Sequence, residues 1–227
     1  MHNLKSIVVA IVMVAIIMPV SVAGAKVKIL QKADKSYDFK AVKAIVVPVI
    51  KSKDVDYGKV DPERLPKIKA ILAKVKKNMR EGMVKGSKNA NTSIPFYYKA
   101  PSRRDTTLIL EYNIDKFDNG NQAKRLLPFG GKSEVQMTVK FVNAKTKAVV
   151  TEVKAKAKAK GGVVAGGTDA EVLWSATNMA NADVYKYLKK LTGLEYDFWA
   201  GVTKGSKMGI KHATDPMKEE KREVKKK

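Results

Sequence analysis

The sequence predicts an α+β fold: a mainly antiparallel sheet with two long helices packed on one face, preceded by a signal peptide. Three observations predict it. Two stretches, 61–85 and 168–192, carry apolar residues at spacings of three and four behind marked amino-terminal caps. Three others, 106–118, 134–143 and 148–160, alternate apolar and polar residues with the period of a half-buried strand. The first 25 residues follow neither period.

Those first residues set an address. Lys5 and the amino terminus give a positive start, Ile7 to Met18 run without a polar side chain, and Pro19 ends the run. Ala23-Gly24-Ala25 supplies a small-x-small exit. Together they describe a secretory signal peptide over 1–25, cleaved after Ala25. The apolar run is too short to cross a bilayer, which takes about 20 residues. The mature chain is therefore expected to be periplasmic or extracellular, beginning at Lys26. It has the length of one domain with a sizeable core, over 26–203, and a basic disordered tail over 204–227.

Each element has its own signal. Residues 26–43 are polar and mixed, a leader without a clear element. Ala44 to Ile50 reads as a buried strand with Pro48, which cannot donate to a ladder, at its end. Asp61-Pro62-Glu63 combines an N-cap acceptor, a first-turn proline and an acid. Leu65, Ile68, Leu72, Val75 and Met79 follow on one face, with lysines elsewhere on the cylinder and Gly86 as C-terminal cap. That stripe is narrow and has no Trp or Phe, so it suits a sheet better than a membrane surface.

Ile94 to Lys99 is a candidate strand. Over 106–118, Leu108, Leu110, Tyr112 and Ile114 share a face, as do Val135, Met137, Val139 and Phe141 in the next strand. A tight turn at 143–147 joins that strand to 148–160 as an antiparallel hairpin. Thr168 and Glu171 form a capping box, a broad apolar face runs from Val172 to Leu191, and Gly193 ends the second helix.

Charge is the chain's most unusual property. Its 45 Lys+Arg against 22 Asp+Glu leave a formal charge of +23, and only Lys5 of the charged side chains leaves with the signal. Such a field attracts phosphorylated lipid head groups, anionic envelope polymers or nucleic acid. The excess is mostly lysine, a hydrated point charge, which favours diffuse attraction over the bidentate arginine reading of bases. In the last strand Lys154, Lys156, Lys158 and Lys160 point one way, and Val153, Ala155, Ala157 and Ala159 the other. The lysine file is either an anion-binding face or the protection of a solvent-facing or edge strand, and the second is the simpler reading.

Catalytic signals are sparse. There is no cysteine, hence no disulfide framework, thiolate metal site or lipidated amino-terminal cysteine. His212 is the single histidine after the signal, so no metal site and no Ser-His-Asp system is predicted. Glu111, Asp115 and Asp118 share a neighbourhood, but their spacing is that of an exposed sheet face. Gly130-Gly131-Lys132-Ser133 lacks the earlier glycine of a phosphate loop, and the glycines of 161–167 serve best as a strand-to-helix reversal. No enzyme activity and no cofactor is expected.

The stretch FDNGNQAKRLLPFGGKSEVQMTVKFVNAKTKAVV, then a glycine-rich loop and an alanine-rich helix, resembles bacterial envelope proteins grouped as domain of unknown function 4410. The matching residues are Phe117, Gly120, Arg125, Gly130, Gly131 and Thr146. Two features depart from the family. Lys147 stands where its turn glycine is usual, and there is no cysteine to lipidate. More distantly, the element order is similar to the α/β module of curli-secretion and penicillin-binding-protein activator lipoproteins, which are assembly and accessory proteins. The resemblance implies a non-enzymatic accessory or structural protein that binds an envelope protein, an anionic polymer or a lipid surface, with nucleic acid as the alternative partner. Arg125 and the lysine file are the candidate anion contacts.

Overall fold

A computed structural model describes residues 22–89, 92–120, 132–160 and 168–195. The expected signal run at 1–21, Arg125, Gly130, Gly131, the glycine connection at 161–167 and the tail lie outside the described residues. The elements are β1 (Val22–Gln31), β2 (Ala44–Val46), α1 (Leu65–Asn89), β3 (Phe96–Tyr97), β4 (Thr107–Asp118), β5 (Lys132–Asn143), β6 (Val149–Lys160) and α2 (Asp169–Thr192). Among the described residues six strands form one sheet in the order β1-β6-β5-β4-β2-β3.

The sheet is mixed, which corrects the expectation of a mainly antiparallel one. β1, β6, β5 and β4 pair antiparallel, but β2 pairs parallel with both β3 and β4. The reason is connectivity: α1 lies between β2 and β3, and a helical crossover returns the chain in the same direction. Ala44, Ile45 and Val46 are all buried. An apolar run without alternation marks a strand covered on both sides, as parallel strands usually are.

The leader is not structureless either. Val22–Gln31 forms the edge strand β1 against β6, and a 3-10 turn follows at Phe39–Ala41 with Phe39 buried. The Asp38 carboxylate caps that turn, accepting from the Lys40 and Ala41 amides at 2.9 and 3.2 Å. β1 carries little burial signal because it lies at the edge, with Ile29 49% and Leu30 46% exposed. The expected cleavage site, Ala23-Gly24-Ala25, lies within β1, and Lys26–Gln31 is the part of the strand that follows it.

Asp61 opens the first helix as expected, through a 3-10 turn at Pro62–Arg64. Its carboxylate accepts from the Glu63 amide at 3.2 Å. α1 then continues past Gly86, which is buried and not left-handed, to Asn89. Ser87 binds that last turn to the sheet: its hydroxyl donates to the Val84 carbonyl at 2.9 Å and accepts from the Phe96 amide at 3.1 Å. The strand expected at 94–99 is reduced to Phe96–Tyr97.

Beyond that point the expected pattern stands almost residue for residue. Leu108, Leu110, Tyr112 and Ile114 of β4, and Val135, Met137, Val139 and Phe141 of β5, are buried. A bulge between Ile114 and Lys116 shifts the alternation of β4 and carries Phe117 into the core. Val153, Ala155, Ala157 and Ala159 of β6 are fully buried beneath α2, their small side chains letting the helix approach. Ile68, Leu72, Val75, Met79 and Met83 of α1 and Leu173, Ala176, Ala180, Val184 and Leu188 of α2 join the same core. The Tyr112 hydroxyl donates to Asn181 Oδ1 at 3.0 Å, anchoring α2 to β4, and its burial pushes the phenol pKa up.

α2 keeps both of its expected ends. Thr168 and Glu171 form the capping box, and Gly193 closes the helix in the left-handed conformation at φ 76°. Replacing Gly193 with alanine should cost about 1 kcal/mol, because a Cβ is strained there. Urea denaturation should show the loss as a lower midpoint at unchanged slope.

Candidate anion-binding surfaces

The lysine file is built as its period predicts, but not on an edge. β6 lies between β1 and β5, so it is not an edge, and of the protective reading only the solvent-facing half applies. Lys154, Lys156 and Lys158 face away from the core, opposite Thr138, Gln136 and Glu134 on β5. Lys28 and Lys26 of β1 stand opposite Lys154 and Lys156 on the other flank. The side chain of Lys160 lies outside the described residues.

These lysines are engaged. Lys154 Nζ is 3.6 Å from Asp115 Oδ2, while Lys156 and Lys158 reach the Glu134 carboxylate at 3.2 and 3.1 Å. Lys116 approaches Glu134 from β4 at 3.6 Å, with Asp56 and Asp118 at 3.5 and 3.7 Å. The Gln136 amide donates to Glu134 Oε1 at 2.6 Å. Burial by itself would push the Glu134 carboxyl up. The hydrogen bonds from Gln136, Lys158 and Lys156, with the Lys116 charge, outweigh it and bring the pKa down to about 2. Further along the face Lys140 pairs with Glu152 at 4.0 Å and Lys51 with Glu111 at 3.9 Å. The outer sheet face is a lattice of ion pairs, with Glu111, Asp115, Asp118, Glu134 and Glu152 among its anionic members.

A denser run of basic side chains with few ion pairs lies on α1. Lys67, Lys69, Lys74, Lys76, Lys77, Arg80, Lys85 and Lys88 stand on that helix with Glu81 as its one acid. Among the described residues, Lys85 alone of these forms an ion pair, with Glu81 at 3.2 Å. Beside this surface a groove of about 490 Å³ runs between α1 and the loops that follow β2 and β3. Val49, Ile50, Ala73 and Tyr98 give it apolar walls; Lys76, Lys77, Arg80, Glu81 and Lys85 give it charge.

Arg80 is the fixed point of the groove. Its Nε donates to the Val47 carbonyl at 2.9 Å and its Nη2 to the Tyr98 carbonyl at 3.2 Å. The guanidinium also lies 4.7 Å from the Tyr98 ring centroid, a cation–π distance. Lys76 is steadied by a 2.6 Å hydrogen bond to Ser52 Oγ. Sequence reasoning missed this site. The lysines of α1 were visible, but nothing local brings Val47 and Tyr98 to Arg80.

The family-motif residues that are described hold the fold. Phe117 is buried, and Gly120 sits at φ 69°, where an added Cβ would lie 2.5 Å from the Lys132 carbonyl oxygen. Thr146 belongs to the β5–β6 turn, in which the Asn143 side chain accepts from the Lys145 and Thr146 amides at 2.8 and 3.3 Å. Lys147 takes φ 63° there, the left-handed conformation that glycine suits best. No group of three or more His, Asp or Glu among the described residues is placed to hold a metal ion. No described helix is long and apolar enough to cross a membrane.

The molecule is an α+β domain with helices over one sheet face and a polar lattice on the other. It belongs to the family described as Domain of unknown function (DUF4410), whose model matches residues 31–166. Among solved structures it is similar to the PelC dodecamer from Paraburkholderia phytofirmans, at 11% identity and a TM-score of 0.38, over 69% of this chain and 93% of that one. A Helicobacter pylori protein described as a neuraminyllactose-binding hemagglutinin homolog is similar at 12% identity and a TM-score of 0.34, over 81% of this chain and 95% of that one. No curated protein sequence matches the chain.

Proposed function

We propose that this chain is a non-enzymatic accessory protein of the cell envelope that binds an anionic envelope component, polymer or lipid surface, through the basic side of α1. The single observation that carries the reading is the charge of that helix: eight basic side chains against Glu81, with one ion pair among the described residues. The A-x-A exit and apolar run support export by a cleaved signal peptide.

The test compares the mature chain with a variant in which Lys67, Lys69, Lys74 and Lys77 become glutamine. All four are exposed, so folding should be little disturbed. Binding to anionic vesicles and to a polyanion should weaken in the variant, with a shallower dependence on salt. On nucleic acid each lost phosphate contact lowers that slope by about 0.7 to 0.9. Binding unchanged in the variant would refute the role of α1. Intact mass of the protein from its native envelope should correspond to a chain starting at Lys26; Met1 retained in a membrane fraction would overturn the export reading.

A further inference from the structure

We infer that the groove beside Arg80 takes a carboxylate-bearing sugar residue of an acidic polysaccharide, an inference that rests on the anionic-partner function proposed above. The groove offers three kinds of contact at once. Arg80 is held by two backbone carbonyls, so its guanidinium is already oriented before any ligand arrives. Five N–H donors belong to the group, and those left over form a planar fork that matches a carboxylate. Lys77 is exposed beside it and adds a point charge.

The second contact is an acceptor. Glu81 lines the same groove, 3.2 Å from Lys85. An ionised carboxylate accepts hydrogen bonds and donates none. A ligand made only of phosphate oxygens gives it nothing and is repelled by it. A sugar acid brings hydroxyl donors for Glu81 together with a carboxylate for Arg80.

The third contact is apolar. Val49, which is 71% exposed, and Ala73, also exposed, stand in the walls and offer a surface for the carbon-bound face of a sugar ring. Single-stranded nucleic acid is instead held on aromatic faces where successive bases stack. Among the described residues Tyr98 is the one aromatic ring of the groove, and Arg80 already lies over it. At about 490 Å³ the space falls in the range of small-ligand sites, roughly 300–1,000 Å³.

Calorimetry on the full mature chain, with oligogalacturonate and with an oligothymidylate of equal charge, tests this assignment. Oligogalacturonate should bind more tightly. Arg80→Lys keeps the charge and loses the fork, and Lys77→Gln removes a charge without touching a structural bond. Each should weaken oligogalacturonate by about tenfold, the size expected for a charged hydrogen bond. Lys154→Gln on the sheet face should change it by less than about twofold.

Glu81→Ala separates the chemistries by sign. Loss of a hydroxyl acceptor should weaken oligogalacturonate, whereas loss of a repelling charge should strengthen oligothymidylate. If Glu81→Ala strengthens both, or Lys77→Gln binds like wild type while melting normally, the sugar-acid assignment is wrong. Tighter binding of oligothymidylate in the wild type would overturn it too, in favour of nucleic acid. Polyanion binding that persists unchanged through all groove variants refutes the groove alone. No polyanion binding at all refutes the anionic-partner function with it.

Discussion

Replacing Phe117 with alanine is expected to lower the unfolding free energy by about 3–5 kcal/mol, the range for emptying a large aromatic site. Phe117 is fully buried, and it is so because of one irregularity. Strict alternation from Leu108 through Ile114 would bring Lys116 to the core face and turn Phe117 outward. The bulge between Ile114 and Lys116 reverses that assignment, leaving Lys116 among Asp56, Asp118 and Glu134 on the polar face. The truncation therefore removes a ring from the core without disturbing a charge. The urea midpoint should fall with the slope unchanged. Lys147→Gly, in the same motif region, should move the other way by a few tenths to about 1 kcal/mol, since it relieves a left-handed lysine at φ 63°. A Phe117→Ala midpoint equal to wild type would mean that the bulge is misplaced and the side chain faces solvent.

What the sequence makes legible is what local pattern controls. The period-two faces of β4, β5 and β6 and the two helix starts depend on residues near in the chain, and they stand as read. Gly193 was legible as a stop because it follows the last apolar residue of its helix. Gly86 was not, because the helix continues through it when Ser87 has Phe96 to bond. The parallel pairing of β2 needed the position of α1 between two strands, a fact of topology that alternation does not carry. β1 was obscured by lysines that suit an edge strand and a loop equally well. The basic groove was the least legible feature. Arg80 reads as one more charged residue on the polar side of a helix until the loops after β2 and β3 bring two carbonyls and a ring to it. The lysine file shows the converse: its period was plain, but Glu134, which pairs with Lys156 and Lys158, sits on another strand, and nothing in the local pattern of β6 announces it.

That pairing has a measurable consequence in acid. The Glu134 carboxyl is 8% exposed as a residue and touches Lys116, Lys156, Lys158 and Gln136. Its folded pKa of about 2 lies below the ordinary glutamate value of 4.5. A depressed carboxylate pKa means that the unfolded chain takes up the proton first. The stabilisation is therefore complete above about pH 4.5 and is lost as pH falls through about 2. Each pKa unit corresponds to about 1.4 kcal/mol. The side chains of Lys156 and Lys158 remain 46% and 42% exposed, so solvent screens part of the interaction. A contribution of about 1–3 kcal/mol at neutral pH is the reasonable expectation. Glu134→Gln keeps the shape and removes the charge, leaving three lysines on adjoining strands without their shared counter-ion. The difference in unfolding free energy between wild type and Glu134→Gln should be largest near neutral pH and shrink steadily from pH 4.5 toward 2. Taking the difference cancels the titration of the other carboxylates, which both proteins share. A difference that stays constant across this range would show that Glu134 titrates alike in the folded and unfolded chain, and that the three lysines do not converge on it.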